Sequence, residues 1–139
     1  MRKYTPDNIE KLEPNQIFVF GSNAKGIHGK GAALIAKQKF GAIYGQASGL
    51  QGKSYAIITK KDWRVNKSST LDEIKHEICH FIAFAKNNPH LEFLVTKIGT
   101  SLAGYTIEEI KSIFVEYHNK PSWGIPDNIV LPIEFECRD

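Results

Sequence analysis

Residues 16–40, QIFVFGSNAKGIHGKGAALIAKQKF, decide the fold. Gln16 to Phe20 is a short apolar run that stops at Gly21-Ser22-Asn23, the mark of a buried strand entering a loop. Gly31 to Phe40 then carries alanine, leucine and isoleucine at helical spacing and halts at Gly41. A buried strand, a glycine-rich turn and a helix form the opening of a crossover unit. Working outward, the same alternation continues. Gly41 to Gly52 reads as a connector, Ser54 to Thr59 (SYAIIT) as the next strand, and Lys60 to Ser69 as polar loop. Thr70-Leu-Asp-Glu73 has the capping-box pattern, in which the threonine hydroxyl and the glutamate each bind a backbone N–H at a helix start. Leu71, Ile74, Ile78, Phe81, Ile82 and Ala85 follow as an apolar stripe until Asn87-Asn88-Pro89. Thr106-Ile-Glu-Glu109 repeats the device, with Ile107, Ile110, Phe114 and Tyr117 as its stripe. Glu92 to Ile98 and Asn128 to Ile133 complete the strands. This order predicts one α/β domain spanning residues 1–139, with a mostly parallel sheet and helices on both faces.

The 139 residues suit a single core. The net charge of +3 is unevenly placed. Pro14 to Lys61 holds seven lysines and no carboxylate, leaving 11 basic and 15 acidic residues elsewhere. A block without Asp or Glu cannot supply a carboxylate acid or base, but it suits an anionic ligand. Cys79 and Cys137 form no C-x-x-C and no disulfide framework, so a reducing compartment is expected. The N-terminal residues show no apolar leader, and no apolar run approaches the ~18 residues of a membrane span. A cytoplasmic protein without a membrane partner is expected.

Ligands of open α/β sheets sit beyond the carboxyl ends of the strands. That selects Gly21 to Gly31, Thr59 to Arg64 and Gly99 to Tyr105 as site walls. The first glycine loop fits neither the Walker A pattern nor G-x-G-x-x-G. It reads either as an ordinary turn or as a phosphate cradle at a helix N-terminus, and Lys25 and Lys30 with no nearby acid favour the cradle. Lys60, where a strand leaves the sheet, is either a solvated surface residue or an amine activated by burial and by its neighbours Lys61 and Arg64. His76-Glu-Ile-Cys-His80 matches the zinc-peptidase pattern H-E-x-x-H. At about 100° per residue both histidines fall opposite the apolar stripe, facing solvent, with no third ligand evident. No metal site and no cofactor are expected. No RNP, zinc-finger or helix-turn-helix pattern is present, so nucleic-acid binding as such is not the primary reading. Lys53, Lys61, Arg64 and Lys67 near the expected site leave a modified nucleic acid open as substrate.

Three ordered motifs carry a resemblance. Val19-Phe-Gly-Ser-Asn23 is followed by Gly29-Lys-Gly-Ala-Ala33 and Lys37-Gln-Lys-Phe-Gly41. Thr59-Lys-Lys-Asp-Trp-Arg64 is followed by Ser68-Ser69. Ile98-Gly-Thr-Ser-Leu-Ala-Gly104 closes the series. Over about residues 16 to 118 the chain resembles the macrodomain family, in the lysine-dependent branch that removes ADP-ribose from proteins and from DNA. The resemblance implies a three-layer α/β/α fold and ADP-ribose, or an ADP-ribosylated protein or nucleic acid, as partner. It implies that Asn23 contacts the distal ribose, with Ser22 and His28 also among the ligand-binding residues. Gly29, Lys30 and Gly31 would offer donors to the diphosphate, and Gly99, Thr100, Ser101, Leu102, Ala103, Gly104 and Tyr105 would wrap its other side. Lys60 matches the lysine that acts on the anomeric carbon, which makes the expected activity that of an ADP-ribosyl glycohydrolase-type hydrolase. Two departures stand out. Ala103 occupies the position of an acid that assists turnover in the protein-directed enzymes, and Ser101 replaces a glycine. The alternatives are a non-catalytic ADP-ribose binding module and a phosphatase acting on an ADP-ribose phosphate. The family's leading strand is either absent or supplied by Tyr4 to Leu12.

Overall fold

The computed structural model describes residues 2–138. Among the described residues the chain forms five strands and three helices: β1 (Gln16–Asn23), α1 (Gly31–Lys39), β2 (Gly49–Gln51), β3 (Ser54–Lys60), α2 (Leu71–Lys86), β4 (Glu92–Val95), α3 (Ile107–Asn119) and β5 (Ile129–Val130). The sheet order is β2-β3-β1-β4-β5. β1 runs parallel to β3 and β4, and β4 runs parallel to β5. Only β2 is antiparallel, joined to β3 by a tight turn.

β1 is central because both of its faces are apolar. Ile17 and Val19 point into a cluster with Ile74, Ile78, Phe81 and Ile82 of α2 and Ile110 and Phe114 of α3. Phe18 and Phe20 point the other way, onto Ala33 and Ala36 of α1. Alternate residues of one strand therefore hold helices against opposite faces of the sheet. The capping boxes at Thr70 and Thr106 are both formed as the sequence indicates. The stripe of α2 is buried, and His76 and His80 stand on its exposed side as the helical phase requires. No helix among the described residues is long and apolar enough to cross a membrane.

Five boundaries differ from the sequence reading. β4 ends at Val95 rather than Ile98, where the chain turns and Ile98 N donates to Thr96 O (2.7 Å). β1 continues to Asn23, because Gly21 and Ser22 pair with Ile57 and Ile58. β3 likewise includes Lys60. Within the segment read as connector, Gly49–Gln51 is a strand, its register fixed by the Gly52 turn and by Ser54 Oγ donating to Gln51 O (2.8 Å). At the other edge β5 is two residues long: Pro132 has no N–H for a ladder, and the Leu131 carbonyl accepts Thr5 N (2.9 Å) instead. Tyr4 to Leu12 forms no strand. Thr5 lies along the β5 edge, while Ile9 and Leu12 pack against the α1 cluster.

Candidate functional site

The carboxyl ends of β1 and β3 and the segment after β4 meet over the α1 and α3 starts. Thr96 is drawn to β1 by its hydroxyl and its amide, both donating to Val19 O (2.8 and 3.1 Å). Thr59 Oγ1 reaches Ser22 O (3.3 Å). The convergence is close enough to demand glycine: a Cβ on Gly21 would lie 2.9 Å from Thr59 Oγ1 and 3.7 Å from the Gly99 nitrogen. Above this floor opens a cleft of about 780 Å³.

One wall is the loop from Asn23 to Gly31. Asn23 Oδ1 accepts the backbone N–H of Lys25 (3.2 Å) and Ile27 (3.1 Å), and its Nδ2 donates to Ile27 O (2.7 Å). The side chain thus folds its own loop as an Asx turn while lining the cleft. Ser22 also lines it, with Oγ donating to Ala47 O. Gly29, Lys30 and Gly31 lead into α1. Unlike α2 and α3, α1 begins without a side-chain cap and without an acid in its first turn. Its first amides therefore face the cleft with their partial positive charge unneutralised by protein. His28 does not belong to this wall. It is 1% exposed, its Nε2 within hydrogen-bond distance of Ile43 O (3.0 Å) and Gln46 O (3.2 Å), and its ring meets Phe20 edge-on. It holds the 43–46 turn behind the cleft and does not line it.

The second wall carries Lys60. A register shift after Ser22 pairs Asn23 with Lys60 and leaves Thr59 as the extra residue. This bulge sends the lysine stem into the cleft, where it is 7% exposed, and Nζ donates to Trp63 O (3.0 Å). The loop that presents this carbonyl is tied down by Ser68, whose Oγ accepts Lys61 N (3.0 Å) and Asp62 N (3.1 Å) and donates to Asp62 O (3.1 Å). Asp62 accepts Arg64 Nε (3.0 Å) and Nη2 (3.2 Å), and this guanidinium holds the carboxyl down at about 2. The Arg64 guanidinium also lies over the Trp63 ring.

The third wall is the loop after β4. Gly99 has φ +76°, and Tyr105 N closes the loop on Gly99 O (3.0 Å). Thr100, Ser101, Leu102 and Ala103 line the cleft, with Leu102 reaching across to Gly31. Gly104 and Tyr105, expected here as ligand contacts, lie behind it. Gly104 packs on Asn66, and the Tyr105 hydroxyl donates to Ser69 O (2.6 Å), which ties the α3 start to the α2 start. Lys67 N donates to Ala103 O (2.7 Å), joining the second and third walls.

No family model, curated protein or solved structure matches the chain. Lys30, Lys60, Arg64 and Lys97 line the cleft, and no carboxylate does. Arg64 is paired with Asp62, and Lys97 with Glu134 (2.9 Å) and Asp7 (3.4 Å). Lys30 and Lys60 have no ion-pair partner among the described residues. Two lysines without ion-pair partners, an uncapped helix start and two glycine loops give the cleft a positive lining, with one buried amine at its edge. No group of three His, Cys, Asp or Glu side chains gathers to hold a metal among the described residues. Asn66, Thr96 and Lys97 join the lining although nothing in their residue type singled them out; their one signal is adjacency to strand ends. Lys53 lies at the opposite end of β3, its Nζ donating to the Leu12 and Glu13 carbonyls, and so does not serve the cleft.

Proposed function

We propose that the cleft binds ADP-ribose, or a related nucleotide derivative, and that Lys60 releases it from an ADP-ribosylated protein or nucleic acid, within a three-layer α/β/α fold of the macrodomain kind. The observation that carries this reading is the buried Lys60 amine in a carboxylate-free cleft whose other two walls are glycine loops. The diphosphate takes the α1 amides at Gly31 to Ala33 on one side and the Gly99 to Ala103 loop on the other. A cleft of about 780 Å³ fits a ligand of that size. Asn23 spends Oδ1 and one Nδ2 hydrogen on its own loop, and its second Nδ2 hydrogen serves a ribose hydroxyl.

Lys60 acts in one of two protonation states. As a neutral amine, Nζ attacks the anomeric carbon; a C–N bond forms as the bond to the modified group breaks, the proton shed by the amine passes to the departing group, and water then cleaves the C–N bond to give ADP-ribose and the free amine. As an ammonium it stabilises negative charge that develops on the departing group. A second reading, the non-catalytic binding module, is favoured by one observation: Ala103 is buried where an acid would assist turnover, and no lining carboxylate replaces it. The test uses an ADP-ribosylated protein and an ADP-ribosylated oligonucleotide. Release by the wild type that is lost in Lys60→Ala, with ADP-ribose binding kept, supports the hydrolase. Binding without release from either substrate leaves the binding module.

A further inference from the structure

The outer face of α2 carries a pair of histidines that the cleft does not use. His76 and His80 lie one turn apart, both exposed, and their Nε2 atoms are 3.1 Å from each other. The ring centroids are 4.5 Å apart. The two nitrogens thus approach more closely than the rings do, so the Nε2 edges of the two rings face each other. We propose that His76 and His80 form a two-imidazole chelate for a divalent transition metal on the solvent face of α2.

The bite distance supports this. Imidazole nitrogens ~2.0–2.1 Å from a metal are ~2.9 Å apart at a right angle and ~3.4 Å apart at a tetrahedral angle. The observed 3.1 Å lies between these limits. Without metal, one Nε2–H bridges the two nitrogens. Metal binding replaces that hydrogen, and the ring that carried it moves its proton to Nδ1, so both Nε2 lone pairs become ligands with no net proton change.

The support beneath the pair is rigid. α2 spans 16 residues, is closed by its capping box, and buries Ile74, Ile78 and Ile82 on the opposite side. Holding the two imidazoles together therefore costs little further order. The charge around them favours a cation. His76 shares a shallow surface hollow with Asp72, Glu73 and Glu77, while the one cation lining it, Lys61, is paired with Glu73 (2.6 Å). No third His, Cys, Asp or Glu side chain closes the site among the described residues. The remaining positions belong to water, which separates this chelate from a closed structural zinc site and from a peptidase centre.

Titration calorimetry of chelator-stripped protein with Cu²⁺, Ni²⁺ and Zn²⁺ tests the site, with copper electron paramagnetic resonance as a second readout. The expected result is one ion per chain, tightest for Cu²⁺ as the Irving–Williams order requires, and nitrogen hyperfine structure from two imidazoles. His76→Ala and His80→Ala should each weaken binding at least about ten-fold with an unchanged thermal midpoint, because both side chains are exposed. Cys79→Ser, on the same helix, should leave affinity unaltered. Affinity that survives either histidine substitution, or falls with Cys79→Ser alone, overturns the proposal. The outcome is independent of what the cleft binds.

Discussion

Lys60 Nζ donates to the main-chain carbonyl oxygen of Trp63 at 3.0 Å, and this bond sets where the cleft's buried amine points. Trp63 is itself half exposed, so the carbonyl is held by the loop rather than by packing of its ring. Ser68 binds three backbone groups of that loop, and the Asp62–Arg64 pair stiffens its middle. The lysine is thus positioned by the 61–68 loop, outside the two glycine loops.

Ser68→Ala separates positioning from binding. The loop loses three hydrogen bonds at a partly exposed site, at a cost to stability of about 1 kcal/mol. ADP-ribose affinity should stay within about three-fold, since the glycine loops are untouched, while the rate of ADP-ribosyl release falls about 10- to 100-fold through misplacement of Nζ. Single-turnover kinetics beside a binding titration distinguishes the two. An unchanged rate would show that the Trp63 carbonyl does not direct Lys60.

Gly99→Ala should damage the third wall. A Cβ there would sit 2.7 Å from Ile110 Cδ1, on a backbone with φ +76°, and Ile110 is fully buried. The expected loss is about 1–3 kcal/mol, read from chemical denaturation. Adding Ile110→Val removes the clashing methyl and should make the double variant less damaged than the sum of the singles, leaving the backbone strain. Strict additivity would place the cost elsewhere.

Alkaline pH should destabilise the α2 and α3 face of the core. Burial, with the charge of Glu77 as a lesser cause, pushes the Tyr55 hydroxyl up to about 12, and burial with the Cys79 contact does the same for Tyr117. In the unfolded chain both ionise near 10. Between pH 10 and 12 the unfolded state releases protons that the folded state keeps, so stability is full below pH 10 and falls as pH rises through 12. Thermal midpoints measured from pH 9 to 12 should fall more shallowly in Tyr55→Phe than in the wild type. Identical slopes would remove Tyr55 as a contributor.

Periodicity made the helices and the central strand legible. Both capping boxes are local devices, written within four residues, and they form as read. The strands at the sheet margins were less legible because their reasons are tertiary. β2 contains a glycine and only three residues, and it exists because Gln51 and Gly49 meet Ser54 and Ala56. In the cleft, the sequence singled out residue types, whereas the fold decided orientation. Lys60 faces inward because of a bulge that no spacing announces. His28 sits in the glycine loop yet turns away, since Phe20 and the 43–46 carbonyls offer its ring a buried seat. Asn23 lines the cleft but spends most of its hydrogen bonds on its own turn. Residue identity alone does not separate a ligand contact from the support behind it.

The acid-free block from Pro14 to Lys61 supplies the first glycine loop and two of the four cations that line the cleft, Lys30 and Lys60. The most direct measurement of the central claim is a calorimetric titration of the wild-type protein with ADP-ribose. Saturable binding at micromolar concentration with one ligand per chain, weakened in Gly99→Ala, is the expected result. Absence of binding at millimolar ADP-ribose would contradict it and would remove the basis for every ligand role assigned to the cleft.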